Sequence, residues 1–403
     1  MTDKPTTLNN IEILIVGAGT MGAGIAQVYA QSGLVVGLLD ITDEILDKAK
    51  YTIARELNSV RARKYNDAEI DAIKARVLYT TDYPTACAGK YLKLIIESAT
   101  ENIDIKLRIF RELDRLCAPH VVLATNSSSL DIDLLAKAVG RPDKVVWMHF
   151  FYLPHKNRAG EVAGADSASR ESVETAMRYM KIAGTVVTPI LSSRKGGAAD
   201  VLFVALLLEA CRMVDEGYAK ADIEAAGGRA FGMPLGFLAL MDATGLPVGL
   251  YAMDSFADDS NPDDPLYRVY KDFFKPTAGY RKLVERYLAA NDSSTIRWLP
   301  PDGPGPGSGD QKLVTRLTER FLAVAFLVAF ELVQAGVIAA DELETLTQNA
   351  FRWRKGPFAV FNELSAKESL RIVRDRKILA AELGHHFPIP DGLRESNKEK
   401  RLH

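Results

Sequence analysis

The chain has 403 residues, enough for two or three domains, and its 50 basic and 52 acidic side chains give a formal charge of -2. Basic residues are scattered, with a single concentration at Lys398–Arg401 in a polar tail, which argues against a nucleic-acid surface. The longest purely apolar stretch, Phe321–Phe330, is too short for a bilayer and reads as a buried core helix, and MTDKPTTLNN lacks the apolar segment of a secretory signal.

The first element lies in IEILIVGAGTMGAGIAQVYAQSGLVVGLLD, Ile11 to Asp40. Ile11–Val16 is a β-branched run suited to a buried parallel strand, and Met21–Gln31 has apolar residues at helical spacing. Between them Gly17 permits a tight turn, Gly19 lets backbone approach a pyrophosphate, and Gly22 allows close helix–strand packing. Thr20 and Met21 open the helix, whose unpaired N–H groups and positive dipole end face the phosphates. Asp40 ends the next apolar run, where a carboxylate accepts from ribose hydroxyls and repels a 2′-phosphate. Ile41 and Thr42 follow it rather than an arginine, so the expected cofactor is NAD.

Strand candidates continue at Leu94–Ser98, Val121–Ala124, Val145–Phe150, Gly160–Ala163 and Thr185–Ile190, separated by helical stretches such as Lys106–Leu116 and Arg170–Lys181. This alternation predicts a doubly wound α/β domain. Ligands bind outside the carboxyl ends of such strands, so the residues following each run are the candidates for a site. ESATEN, Glu97–Asn102, is placed to line the cofactor through Ser98 and Glu101. In Thr125-Asn126-Ser127-Ser128-Ser129 the amide and hydroxyls suit the nicotinamide carboxamide or a substrate oxygen; the same residues also suit the cap of a helix starting near Leu130. Hydride loss from a carbinol carbon needs a base for the hydroxyl proton. His149, near the end of KVVWMHF, is the candidate, and a strand–loop–strand return would bring Glu161 against its imidazole. The bland alternative is a structural histidine beside a surface glutamate.

Beyond Gly196–Gly197 strands vanish and the spacing turns helical. Leu299–Asp310, LPPDGPGPGSGD, reads as a linker. On either side of it the order is similar. A helix ends at Gly217, another begins at Ala221–Asp222, and GMPLGF follows with Asp242; then a helix ends at Gly336, another begins at Ala340–Asp341, and WRKGPF follows with Asn362. Two related helical modules are expected, chance likeness of helical hairpins being the alternative. The division is 1–194, 195–298, a linker 299–310, and 311–403. Cys87, Cys117 and Cys211 read as reduced packing residues of a cytoplasmic protein, and the neighbours His385 and His386 as surface residues, so no metal site is expected.

Taken together, GAGTMGAGIAQVYAQSG, ESATENIDIK, TNSSSL, WMHFF, GEV, EACRMVDEG and GMPLGFLALMDATGL resemble the L-3-hydroxyacyl-CoA dehydrogenases from Ile11 to about Leu250. The duplicated module is similar to that in the dehydrogenase part of multifunctional fatty-acid oxidation enzymes. The resemblance implies a Rossmann-type domain followed by a mainly α region, with an acyl-CoA thioester in the cleft between them. It implies His149 as base, Glu161 as its partner, Ser128 as the hydroxyl contacting substrate, and Asp40, Glu101 and Lys106 as cofactor neighbours, to which Asn126 is added by its place in the run after Val121–Ala124. Three segments depart from the family pattern; in one, Thr125 and Ser127 replace the usual serine and threonine around Asn126 with hydroxyls retained. KGGAADV stands where the family has PGFxxNR, putting Asp200 or Ala199 at the asparagine's place, and HFFYLP puts Tyr152 where an asparagine would sit beside the nicotinamide. These motivate two rival readings, a dehydrogenase of a small polar 3-hydroxy acid of sugar-acid or carnitine type, and a non-catalytic NAD-binding protein. Single-module relatives pair through their helical domains, and a duplicated module imitates that contact within one chain, so monomer and homodimer both stay open.

Overall fold

The computed structural model describes residues 7–59, 64–128, 130–192, 196–258, 266 and 273–395. Ser129, Lys195 and Lys398–Arg401 lie outside these. The chain divides into two compact units, Met1–Arg194 and Lys195–His403.

The first unit is an eight-stranded sheet of β1 (Ile13–Val16), β2 (Val36–Leu39), β3 (Val77–Thr80), β4 (Leu94–Glu97), β5 (Val122–Thr125), β6 (Val145–Phe150), β7 (Ala159–Gly164) and β8 (Val186–Pro189). Its order is β3-β2-β1-β4-β5-β6-β7-β8, parallel throughout except where β7 runs antiparallel to β6. Strands β1, β2, β4, β5 and β6 are buried along their whole length, as near-continuous apolar runs between two helix layers must be. One strand escaped the sequence reading. VLYT at β3 is a short edge strand with three half-exposed residues, so neither a buried run nor an alternation marks it. Helices α1 (Thr20–Gln31), α2 (Asp43–Asn58), α3 (Asp67–Ala75), α4 (Tyr83–Cys87), α5 (Ile103–Leu116), α6 (Ile132–Ala136) and α7 (Arg170–Ile182) connect the strands. One apolar core joins α1 residues Ile25, Val28 and Tyr29 to Ile13, Val146, Met148 and Phe150.

The second unit is helical: α8 (Ala199–Asp215), α9 (Lys220–Phe231), α10 (Phe237–Thr244), α11 (Leu246–Ala257), α12 (Ala278–Ala289), α13 (Gln311–Gln334), α14 (Ala340–Ala350), α15 (Pro357–Glu363), α16 (Ala366–Glu382) and α17 (Asp391–Glu395). Phe321–Phe330 lies buried in α13. Among the described residues no helix is long and apolar enough to cross a membrane. The three cysteines are buried free thiols; His385 is half-buried rather than on the surface, while His386 is exposed.

The same devices recur along this unit. Gly217 at φ +88° follows α8 and Gly336 at φ +66° follows α13, the left-handed positions that glycine adopts without strain. Glu224 on α9 accepts the N–H groups of Leu238 and Ala239 at the start of α10, at 2.8 and 3.3 Å. Glu344 on α14 accepts those of Gly356 and Ala359 at the start of α15, at 2.9 and 2.6 Å. Both carboxylates occupy the space a Cβ would fill at the helix-capping Gly236 and Gly356. Leu299–Asp310 contains neither helix nor strand up to its last residue, and it is tied down by Ser308 N–H on Asp222 and by Leu299 N–H on Asp242, both at 2.9 Å.

An ion cluster holds α8, α13 and α16 together. Glu209 is fully buried and receives Arg320 Nε at 2.7 Å and a two-pronged contact from Arg376 at 2.7 and 2.8 Å, with Arg212 at 3.5 Å. Burial pushes the Glu209 carboxyl up, but Arg320 and Arg376 override it and hold the group far below the ordinary carboxylate range. A depressed carboxyl contributes stability above the unfolded value of about 4.3 and loses it as pH falls. Glu209→Gln leaves buried guanidinium charge uncompensated and is expected to cost roughly 3–5 kcal/mol in denaturant unfolding, and to flatten the acid side of the stability–pH curve.

Candidate cofactor and active site

The glycine turn between β1 and α1 is held by close contact. Gly17, at φ +100°, donates its N–H to Leu39 O at 2.8 Å, and a Cβ on it would overlap the Ser98–Ala99 backbone. A Cβ on Gly22 would overlap the Gly17 carbonyl. Gly19 differs, because a Cβ there meets nothing within 4 Å. It caps α1 with no side-chain hydrogen bond, and both Gly19 and Thr20 are exposed. Met21 behind them is half-buried. The open first-turn amides beside a backbone free of side chain are what a pyrophosphate requires. Asp40 Oδ2 accepts the Ala18 N–H at 2.6 Å and Oδ1 accepts that of Ile41 at 2.7 Å. The carboxylate thus fixes the turn, and each oxygen keeps a second lone pair for a ribose hydroxyl. The residues fit the adenosine and pyrophosphate half of NAD.

Behind the turn sits a buried ion pair. Glu97, ending β4, meets Lys106 Nζ at 2.6 Å, Ala99 N–H at 2.7 Å and Thr125 Oγ1 at 2.8 Å. Lys106 is itself buried, so its first partner is this carboxylate, with Glu101 Oε2 at 3.5 Å. Glu101 is exposed and also accepts from the Ser127 hydroxyl. Ser98 is half-buried, its N–H on Val16 O at 2.7 Å and its backbone against Gly17.

At the end of β5, Asn126 Oδ1 accepts the Phe150 N–H at 2.8 Å, which ties this turn to β6. Ser128 is half-buried on the same turn. The helix-cap alternative does not hold for the described residues of the cluster. Helix α6 starts at Ile132 and is capped by Asp131, whose carboxylate accepts the Asp133 N–H at 2.9 Å.

His149 and Glu161 are direct partners in the antiparallel β6–β7 register. Nδ1 of His149 lies 3.0 Å from Glu161 Oε2, with His149 6% exposed and Glu161 fully buried. The surface-glutamate alternative is therefore excluded. Two aromatic neighbours were not anticipated. The Trp147 indole stacks on the imidazole at 5.1 Å between centroids and 13° between planes, and Phe151 tilts against it at 4.8 Å and 56°. The strand period carried the signal, since Trp147, His149 and Phe151 share one face while Val146, Met148 and Phe150 occupy the other. Tyr152, next in line, is 54% exposed. Asp200 belongs to the second unit, half-buried in the first turn of α8, where a carboxylate suits the helix dipole.

The two glycines separate binding from folding. Gly19→Ala is expected to leave the melting temperature unchanged and to weaken NAD at least tenfold in a titration, about 1.4 kcal/mol. Gly22→Ala is expected to lower both, because the carbonyl it strikes belongs to the turn itself.

The family model described as 3-hydroxyacyl-CoA dehydrogenase, NAD binding domain, matches residues 12–192, and that described as the C-terminal domain matches 198–293. The mitochondrial hydroxyacyl-coenzyme A dehydrogenase of Sus scrofa is 31% identical over 282 residues, 68% of this chain and 85% of that protein. The (S)-3-hydroxybutyryl-CoA dehydrogenase of Ralstonia eutropha superposes with a TM-score of 0.60 at 28% identity, covering 68% of this chain and 94% of that one. The 3-hydroxybutyryl-CoA dehydrogenase of Escherichia coli K12 shares the fold over nearly the whole length, with a TM-score of 0.78, 22% identity, and 96% and 98% of the two chains covered. The chain belongs to the 3-hydroxyacyl-CoA dehydrogenase family and is an NAD-dependent oxidoreductase.

Proposed function

We propose that this chain oxidises an L-3-hydroxyacyl-CoA to the 3-oxoacyl-CoA, a β-oxidation-type step, with His149 as the general base. The observation that carries the reading is the buried His149–Glu161 pair at 3.0 Å. Glu161 engages Nδ1, which leaves proton uptake from the substrate hydroxyl to Nε2, and the carboxylate stabilises the imidazolium that results. NAD supplies the acceptor for the hydride leaving the carbinol carbon. Ser128 contacts the reacting oxygen, and Asn126, pinned to the Phe150 backbone, sits on the turn that presents it. Gly17, Gly19, Thr20, Met21, Gly22, Asp40, Ser98 and Glu101 form the cofactor side. Lys106 acts on that side through Glu97 and Glu101. Three free thiols support a reducing compartment, which we take to be the cytoplasm.

A second reading, a small polar 3-hydroxy acid as substrate, is favoured by Tyr152 and Asp200, two of the places where the chain departs from the family pattern. An NADH-formation assay over a panel of 3-hydroxyacyl-CoAs, gulonate and carnitine separates the two. We expect turnover on the thioesters, beginning with 3-hydroxybutyryl-CoA. Turnover of the polar acids alone would install the second reading, and Asp200→Asn would then alter the preference within the panel. His149→Ala is expected to lower kcat by roughly 10²–10⁴ while NAD titrates as in wild type. Full activity in His149→Ala would remove the histidine from its role.

A further inference from the structure

We infer that Trp147 is a positioning residue for His149: its indole face stabilises the imidazolium, and its indole N–H locks that ring pair to the turn carrying Asn126 and Ser128. The inference rests on His149 being the base. Three observations place the indole. Strand alternation puts Trp147 on the same face of β6 as His149, with the small Ala163 of β7 opposite it in register, leaving room for a large ring. Nε1 of Trp147 donates to Ser127 O at 2.6 Å, which fixes the indole about its side-chain torsions. The rings then lie nearly parallel at 5.1 Å, within the range over which an indole attracts a cation on its face.

A neutral imidazole has little to gain from the indole quadrupole, whereas an imidazolium is attracted to it, so the stack favours the form created when the base takes up a proton. Among the described residues, Glu161 is a charged group that faces the imidazole across β7. On the β5 side the charges are Glu97 and Glu101, which flank the Lys106 ammonium, and Phe151 presents an uncharged ring. Ser127 joins the two arrangements: its hydroxyl reaches Glu101 and its carbonyl holds Trp147. One serine, through its hydroxyl and its carbonyl, therefore ties the ring pair to the cofactor-side ion pair.

The indole also covers the imidazole, with Trp147 4% and His149 6% exposed, and cover alone acts in the opposite sense by disfavouring charge. The sign of a shift therefore decides between them. Trp147→Leu keeps an apolar cover and removes the π face. In the oxidation direction the neutral base is active, and kcat/KM rises with pH through its ionisation. Loss of the face is expected to move that acid limb to lower pH by about 0.4 to 0.7 units, the equivalent of a cation–π contact of about 0.5–1 kcal/mol. Trp147→Phe, with a weaker face, is expected to fall between. A limb that stays in place or moves to higher pH would overturn the inference.

A second measurement needs no turnover and no folded leucine variant. An imidazolium stacked on an indole quenches its emission, so the fluorescence difference between wild type and Trp147→Phe is expected to fall on acidification in the apoprotein, and His149→Ala to abolish that fall. A pH-independent difference would also overturn the inference. Should His149→Ala retain turnover, the base assignment fails by itself while the quench still reports the stack. Should it be inactive with neither limb shift nor quench, the Trp147 inference fails alone.

Discussion

A carboxylate taken wholly out of water is tolerated only where cations or hydrogen-bond donors meet it, and among the described residues Glu97, Glu161 and Glu209 are fully buried glutamates. Each is met by residues distant enough in sequence to fix tertiary structure. Glu97 binds Lys106 and Thr125, which sets the ends of β4 and β5 relative to α5. Glu161 binds His149, which sets the β6–β7 return. Glu209 binds Arg320 and Arg376, which sets α8 against α13 and α16. In the first unit Glu97 stands at the end of β4, and Glu161 lies within β7 opposite His149 near the end of β6. His149 thus has its carboxylate partner on the adjoining strand of the sheet rather than on a loop.

The cofactor end was legible in the sequence because its signals are local. Gly17, Gly22 and Asp40 stand at fixed spacing around one β–α–β unit, so their order in the sequence exposes them. His149 and Glu161 were legible for a related reason, since an antiparallel return across a short loop makes the register calculable. What stayed hidden depends on side-chain contact between distant segments. Lys106 reads as a cofactor neighbour, and nothing in the sequence shows that Glu97 holds its ammonium inside the protein. Trp147 reads as one more apolar residue of a buried strand until its N–H is found on Ser127. The strand β3 was lost because an edge strand of four residues carries no periodicity worth reading.

The helical unit shows how a weak repeat gains physical content. In the sequence the likeness of its two halves rests on glycines and helix order, which chance also produces. In the structure Glu224 and Glu344 each cap the following helix across an equal interval, and each does so at a glycine whose missing Cβ makes the room. A carboxylate at a helix N-terminus satisfies several orphan N–H groups at once and complements the dipole. Neither member of such a pair is useful without the other, since a Cβ at Gly236 or Gly356 would expel the carboxylate. The joint recurrence of glutamate and glycine is the physical reason to read these segments as related modules, and we propose that division of the unit on it. The same reasoning separates constraint from freedom in the first unit. Gly17 and Gly22 are fixed by collision with backbone, whereas Tyr152 is more than half exposed and meets no such demand. An exchange at Tyr152 therefore disturbs packing less than one at Gly17 or Gly22.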